Sequence, residues 1–202
     1  METNEKIDKV DGKITALAKE LEQIKQENCD LKKKNDALTN RINYLEQSVK
    51  DNEIEIQGVP IEDEENILDI LKNISTQISF DFNNEMISNC YRYGQSQTSE
   101  FAPGIIVQFV RRLDKDRFMK CRRKKRNLNS RDIGFMGGDA TVIYVNDSLT
   151  TEKRKLLKAA RQAKKNKGFT YLWVRGGRIY LRKNPDDPCV LINNYDDIKK
   201  LE

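Results

Sequence analysis

The stretch IDKVDGKITALAKELEQIKQENCDLKKKNDALTNRINYLEQSV, residues 7–49, places apolar side chains alternately three and four positions apart. This is the heptad repeat of a coiled coil, and six heptads keep one register, with only Asn28 and Asn35 as polar core residues. The stretch contains no proline, and its one glycine is Gly12. We therefore predict that residues 1–50 form a helical rod of about 60 Å that joins copies of the chain.

The residues beside the heptad core predict how the helices run. In a parallel, in-register coil each g residue meets the e residue five positions later on its neighbour. Four of the six such pairs join opposite charges and none repels: Lys6 with Asp11, Glu20 with Lys25, Glu27 with Lys32, and Arg41 with Glu46. This pattern favours a parallel homo-oligomer.

The number of helices is indicated by two opposing signals. RINYLE, residues 41–46, resembles the signature of short trimeric coils, whereas Asn at a positions, and Ile at a with Leu at d, favour dimers. We predict a parallel homotrimer, with a dimer as the alternative. The predicted oligomerisation residues are Ile14, Leu21, Asn28, Asn35, Arg41, Ile42, Leu45 and Glu46.

Residues 53–146 predict a β-α-β-β-α-β domain of the ferredoxin-like or RRM type. Strands are expected at 53–57, 87–93, 105–110 and 141–145, and a polar loop at 95–99. A second predicted helix starts at Asp114, and the first carries Ile67, Leu68, Leu71, Ile74 and Ile78. The alternation in the first strand turns Ile54 and Ile56 inward and leaves Glu53 and Glu55 for the open face. We therefore expect a sheet without the stacking aromatics of an RRM.

Residues 147–202 predict a smaller α+β domain with a helix capped by Thr150 and a hairpin closed by Gly176-Gly177. The two-residue turn pairs Arg175 with Arg178 and sorts the hairpin side chains onto two faces. One face is aliphatic and is expected to pack on the helix: Leu172, Val174, Ile179 and Leu181. We name the other the aromatic–arginine face: Tyr171, Trp173, Arg175, Arg178, Tyr180 and Arg182. The predicted fold class of the whole chain is α+β.

Charge is segregated along the chain. Residues 104–183 carry 23 basic and 6 acidic side chains, an excess of 17, whereas residues 51–103 carry 2 basic and 11 acidic ones. This basic excess points to a polyanion partner. The further candidate binding residues lie in this stretch: Arg111, Arg112, Arg117, Arg122, Arg123, Arg126, Arg131, Arg161 and Lys164. A cation near a helix C-terminus is also favoured by the helix dipole, which is an equal explanation for Lys164.

The aromatic–arginine face suits single-stranded nucleic acid, because rings stack on bases and guanidiniums bind phosphates. The alternative interpretation makes Trp173 and Tyr180 a cross-strand pair that anchors the hairpin. Histidine is absent and the four cysteines are scattered, so we expect no metal site, no cofactor and no enzyme activity. Without a long apolar run, we expect no membrane association.

The quoted segments resemble two related families. The coil with RINYLE, the RRM-like domain and the basic C-terminal domain resemble the first-open-reading-frame RNA-binding protein of LINE-type retrotransposons. The C-terminal third is similar to the FP (few polyhedra) proteins of baculoviruses and their transposon-borne insect relatives. This similarity is carried by IYVNDSLT at 143–150, KLLKAAR at 155–161, GFTYLWVRGGRIYLRK at 168–183 and DIKKL at 197–201.

The resemblance implies a trimeric, largely sequence-nonspecific binder of single-stranded RNA, with DNA as a second ligand, that chaperones and packages a transcript. It implies a cytoplasmic ribonucleoprotein, and the basic run also allows import into the nucleus. The residues to which it assigns RNA contacts are Arg117, Arg122, Arg123, Arg126, Arg161, Arg175, Arg178 and Arg182. The alternative hypothesis is a coiled-coil scaffold for protein partners, in which the basic region serves localisation.

Overall fold

The computed structural model describes residues 2–62, 64–93 and 102–201, with side chains from Gly12 onward. The predicted loop at 95–99 lies outside the described residues. The side chains of the first two heptad positions, Ile7 and Val10, also lie outside the described part of the chain. The chain divides into two compact units, Met1–Leu45 and Glu46–Glu202. The long N-terminal helix and the antiparallel sheets together confirm the predicted α+β class.

Helix α1 runs without a break over Glu2–Val49, which confirms the predicted helix. Its apolar heptad side chains from Ile14 to Val49 are 49% to 70% exposed in the single chain. An isolated helix gains little stability in water, and an apolar stripe of this length is costly to leave in contact with it. The parallel partner helices stay a prediction.

The first half of the second unit has the predicted β-α-β-β-α-β order. Its elements are β1 (Glu53–Gln57), α2 (Ile67–Gln77), β2 (Ile87–Tyr93), β3 (Gly104–Phe109), α3 (Arg112–Lys124) and β4 (Tyr144–Asp147). The four strands form one antiparallel sheet in the order β2-β3-β1-β4. Ile54 and Ile56 are fully buried, as predicted, under α2 and α3.

The fourth strand begins three residues later than predicted. Thr141 and Ile143 form backbone hydrogen bonds with Ser130 and Leu128, so residues 141–143 pair with the preceding loop. Only Tyr144–Asp147 pairs with β1. The prediction that this sheet has an open face is also wrong at the central strand β1. Glu53 and Glu55 point away from the core, yet they are only 8% and 6% exposed.

The second half of this unit contains α4 (Thr151–Asn166), β5 (Tyr171–Arg175), β6 (Arg178–Arg182), β7 (Val190–Ile192) and α5 (Tyr195–Lys199). Thr150 caps α4 as predicted, accepting a hydrogen bond from the Lys153 amide at 3.3 Å. The strands form a sheet in the order β5-β6-β7. Its apolar side packs on α4 in a separate core formed by Leu156, Ala160, Ala163, Ile179, Leu181 and Ile192.

Strand β7 and helix α5 are absent from the sequence prediction. Three residues are too few to show an alternating pattern, so β7 carries no local signal. Helix α5 does carry one, because Asn194 and Asp197 form a capping box that can be recognised from residue type and spacing.

Candidate nucleic-acid interface

The hairpin has the register that the Gly176-Gly177 turn predicts. The five cross-strand pairs run from Tyr171 opposite Arg182 to Arg175 opposite Arg178. Both turn glycines have positive φ, 55° and 66°, which is the backbone of the tight turns that match strand twist. The predicted separation into an aliphatic face and an aromatic–arginine face is therefore confirmed.

On the aromatic–arginine face, two rings stack on each other and the Arg182 guanidinium lies over two rings. The rings of Trp173 and Tyr180 lie 5.5 Å apart between centroids at an interplanar angle of 13°. The Arg182 guanidinium lies 5.0 Å from the Tyr171 ring centroid and 5.9 Å from that of Trp173. These contacts form a continuous π-cation surface across the hairpin.

The face is partly accessible to solvent. Tyr171 is 38% exposed, Arg175 and Arg178 are exposed, and the stacked pair Trp173 and Tyr180 is half-buried. Cross-strand stacking therefore stabilises the hairpin and still leaves ring surface available to a ligand. The structural and the functional interpretations of Trp173 and Tyr180 are compatible.

The hairpin turn is fixed to the first sheet by a buried ion pair. Lys115 on α3 and Asp147 at the end of β4 are almost fully buried, with Nζ 2.7 Å from Oδ1. The other carboxylate oxygen of Asp147 accepts a hydrogen bond from the Gly176 amide at 3.0 Å. Lys115 also donates to the Asp51 carbonyl at 2.8 Å. The turn therefore lies beside the first turn of α3.

Glutamine 47 completes this attachment from the last turn of α1. Its amide nitrogen donates to the Ser148 carbonyl at 3.0 Å and its oxygen accepts from the Thr150 amide at 3.2 Å. A Cβ at Gly177 would lie 2.6 Å from the Gln47 amide nitrogen, so the turn needs glycine for space as well as for φ. Sequence analysis does not find Gln47, Lys115 or Asp147, because their partners are distant in the chain.

The three predicted arginines at the start of α3 are exposed, but each has a carboxylate neighbour. Arg111 Nε lies 2.8 Å from Asp114, and Arg117 approaches the same carboxylate at 3.9 Å. Arg112 lies 2.8 Å from Asp51 and beside Gly176. The structure therefore places Arg112 next to the hairpin, with much of its charge already compensated.

The basic run of residues 122–126 lies at the opposite end of α3, about 18 Å away along the helix. Arg122 is half-buried and donates to the carbonyls of Lys125 and Ile143, and burial lowers its pKa. These bonds hold the end of α3 in place, which gives Arg122 a structural role. Arg123, Arg126 and Arg131 are exposed, and within the described part of the chain none of them has an ion pair.

The remaining two predicted residues lie on α4. Arg161 is exposed and Lys164 is half-buried. Because α4 packs on the aliphatic face of the hairpin, both are separated from the aromatic–arginine face by the sheet. The predicted residues thus form three groups instead of one continuous site.

A thirteenth cation, which the sequence analysis did not single out, lies close to the hairpin. Lys153, in the first turn of α4, is half-buried, and its pKa is lowered by burial and then by the positive charge of Arg178. Positive charge is therefore concentrated near the hairpin turn, where an anion would be favourable.

The face of the first sheet that carries Glu55 is partly covered by a side chain of α4. Arg154 on α4 pairs with Glu55 at 2.8 Å, and its guanidinium lies 5.5 Å from the Tyr93 ring centroid. The Tyr93 hydroxyl donates to the same carboxylate, and burial, followed by this hydrogen bond, raises the pKa of Tyr93. Tyr93 and the exposed Tyr91 and Tyr144 are aromatics of this face that the sequence analysis overlooked, because they lie on the edge strands.

The described ranges contain no group of three or more potential metal ligands from His, Cys, Asp and Glu. None of the described helices has the length and hydropathy that crossing a bilayer requires.

Comparison with known proteins adds one finding. Residues 150–202 match the family described as baculovirus FP protein domain 2. This segment is similar to the baculovirus FP protein. The FP-like segment, residues 150–202, begins at the α4 cap and contains every element that forms the second core. The FP part of the resemblance is thereby confirmed, whereas the LINE-type part stays a prediction. No curated protein matches the chain.

Proposed function

We propose that this protein is an oligomeric, largely sequence-nonspecific binder of single-stranded nucleic acid, RNA in the first place, that packages and chaperones the strand. The observation that supports this most is the aromatic–arginine face. Stacked rings with guanidiniums at both ends of the hairpin, accessible in part to solvent, match what unpaired bases and their phosphates need.

The chemistry of the face favours low sequence specificity. Every base has a π surface, so stacking is tolerant of sequence and contributes about 1–3 kcal/mol per base. Guanidiniums that bind phosphates add affinity and position the strand without distinguishing bases. Arg175 and Arg178 supply such groups at the turn, and within the described ranges neither has a carboxylate partner.

Helix α1 supports the oligomeric part of the proposal. Its exposed heptad stripe from Ile14 to Val49 would be buried by further copies of the chain, in a parallel homotrimer or, alternatively, a dimer. Weak contacts from several copies to one strand then act together, because binding by one copy raises the effective concentration of the others. Packaging of a transcript from a retrotransposon or a virus into a cytoplasmic ribonucleoprotein is the setting we propose.

The proposal can be tested with the chain's own fluorescence. Trp173 is the single tryptophan, so stacking of a base on the face should quench the intrinsic emission. We expect a short oligouridine to quench it and the affinity to fall steeply between 50 and 200 mM salt, as phosphate binding requires. Absence of binding to single strands, or binding that is insensitive to salt, would contradict the proposal.

Strand number is measured in the same samples. Light scattering without oligonucleotide gives the mass of the assembly, and scattering with it gives the number of bound strands. Three chains per particle are expected, two support the dimer alternative, and a monomer would contradict the oligomeric part.

A further inference from the structure

Helix α4 has a second charged surface that the aromatic–arginine face does not use. The residues that α4 buries, Leu156, Ala160 and Ala163, lie on one side of the helix. Lys158, Arg161 and Lys165, spaced by three and four, lie together on the opposite side and are exposed. We name these three residues the outer α4 face; they extend over about 10 Å.

The outer α4 face lacks negative charge. None of its three residues has an acidic side chain three or four positions away, and within the described residues none has an ion pair. Like charges at this spacing repel and destabilise a helix. Helix α1 shows the usual alternative, where Lys25 lies 3.9 Å from Glu22 and Lys33 lies 3.8 Å from Asp30. An unmatched row of cations is expected where a polyanion binds.

The type of polyanion follows from what is missing on this face. It has no aromatic ring on which a base could stack, so it can contact only the phosphate backbone. A helix that binds a membrane surface inserts an apolar side among the lipids, but the apolar side of α4 is buried in the protein core. Nucleic-acid phosphates therefore fit better than a lipid surface.

The position of the outer α4 face separates it from the aromatic–arginine face. Helix α4 covers the aliphatic side of the β5-β6-β7 sheet, and the rings of Trp173 and Tyr180 lie on the other side. The sheet and the helix therefore separate the two surfaces, and a strand stacked on the rings leaves the outer α4 face free.

We propose that the outer α4 face binds the backbone of a second nucleic-acid strand or duplex, while the aromatic–arginine face holds the first strand. Each chain then bridges two nucleic-acid segments. The inference rests on the proposed function for the first strand, and it adds a second ligand, backbone phosphate in either single-stranded or duplex form. Bringing two strands together in this way would support annealing and compaction.

The test removes only the positive charges of the outer α4 face and keeps the full chain. In the triple variant Lys158→Gln, Arg161→Gln and Lys165→Gln, glutamine keeps the helix propensity high. Oligouridine is immobilised on beads, loaded with protein, and then offered a labelled RNA duplex, which has no unstacked bases for the aromatic face. We expect the triple variant to capture at least tenfold less duplex than the unchanged protein. The slope of log affinity for the duplex against log salt should be reduced by about 2 to 3.

A matched variant controls for net charge. Lys19→Gln, Lys33→Gln and Lys72→Gln remove the same three charges from exposed positions on α1 and α2. Duplex capture should then fall by less than twofold. Quenching of Trp173 by oligouridine should be unchanged in both triple variants, and circular dichroism verifies that both remain folded.

The outcomes distinguish the two proposals. Duplex capture that is equal in the two triple variants would overturn the second site. Phosphatidylserine vesicles serve as a third probe. If vesicle binding requires the outer α4 face and duplex capture does not, the second nucleic-acid site is overturned in favour of a lipid surface. If oligouridine fails to quench Trp173 while duplex binding still depends on α4, the proposed function fails and the second site stands.

Discussion

Helix α3 and the C-terminal hairpin both carry several arginines, but the neighbours of those arginines differ. At the start of α3, Arg111 and Arg112 each lie 2.8 Å from a carboxylate. On the hairpin, Arg182 lies over aromatic rings, and Arg175 is exposed without an ion pair in the described chain. The same residue type is thus held by the fold in one region and available to a ligand in the other.

This difference teaches that charge density alone does not identify a binding surface. The run at residues 122–126 is the densest cluster of cations, yet Arg122 is engaged with backbone carbonyls and has a lowered pKa. A carboxylate partner reduces the gain from binding a phosphate, because one favourable contact replaces another. Unpaired cations beside rings are therefore the better candidates.

The largest expected effect comes from breaking the connection between the two regions. Asp147→Ala removes the partner of Lys115, whose side chain is 2% exposed, and also the acceptor for the Gly176 amide. Loss of one partner leaves a buried charge, so we expect the free energy of unfolding to fall by about 3–5 kcal/mol. Urea denaturation measures it. Asp116→Ala, at an exposed carboxylate of the same region, should change it by less than about 0.5 kcal/mol.

An Asp147→Ala protein as stable as the wild type would show that the hairpin turn does not depend on the buried pair. The turn would then be held by its other contacts, such as the approach of Gln47 to Gly177.

How much of this could be predicted depends on how local the determinants are. The hairpin register follows from two glycines and the residues beside them, so the whole aromatic–arginine face could be derived in advance. The pairing of Arg111 with Asp114 is also local, since the two are three positions apart on one helix. Only the first was derived from the sequence, and the second was not proposed, although the spacing of the two residues permits it.

The remaining features depend on contacts between distant segments. Arg154 reaches Glu55, Gln47 reaches Ser148, and Lys115 reaches Asp147, and no periodicity or spacing encodes such pairs. For this reason the face around Glu55 was expected to be open and is covered. The separation of the basic residues into three groups likewise requires knowledge of which side of the sheet α4 packs on.

The second prediction concerns the rings. Trp173→Ala removes both a stacking surface and the partner of Tyr180. The affinity for oligouridine should fall by about 1–3 kcal/mol, which corresponds to roughly 5- to 150-fold. Anisotropy of a labelled oligonucleotide measures this change without the tryptophan signal. Trp173→Phe keeps a ring and should recover most of the affinity, whereas equal losses in both variants would argue against stacking.

A smaller effect separates the two kinds of arginine directly. Arg175→Ala should lower the slope of log affinity against log salt by about 0.7, the amount expected for one phosphate contact on a single strand. Arg111→Ala should leave the slope unchanged, because its guanidinium lies on Asp114. Equal slope changes would mean that carboxylate pairing does not withdraw an arginine from binding.

The smallest expected effect is a pH dependence that distinguishes two lysines of α4. The pKa of Lys153 is lowered by burial and by Arg178, so near its ordinary value of 10.5 the unfolded chain binds more protons than the folded one. Its contribution to stability should therefore rise as pH rises from the lowered pKa toward 10.5. The pKa of Lys155 is raised by its hydrogen bond to Glu152, so its contribution is present below 10.5 and is lost above it.

Urea denaturation across this alkaline range, with Lys153→Gln and Lys155→Gln as the paired variants, measures the two contributions with opposite sign. Adding Arg178→Gln should weaken the Lys153 dependence without abolishing it, because burial is the larger cause. Oligonucleotide binding at the hairpin should shift the Lys153 pKa upward, since phosphate compensates the charge of Arg178. A Lys153 dependence unaffected by saturating oligonucleotide would place the bound strand away from the hairpin turn.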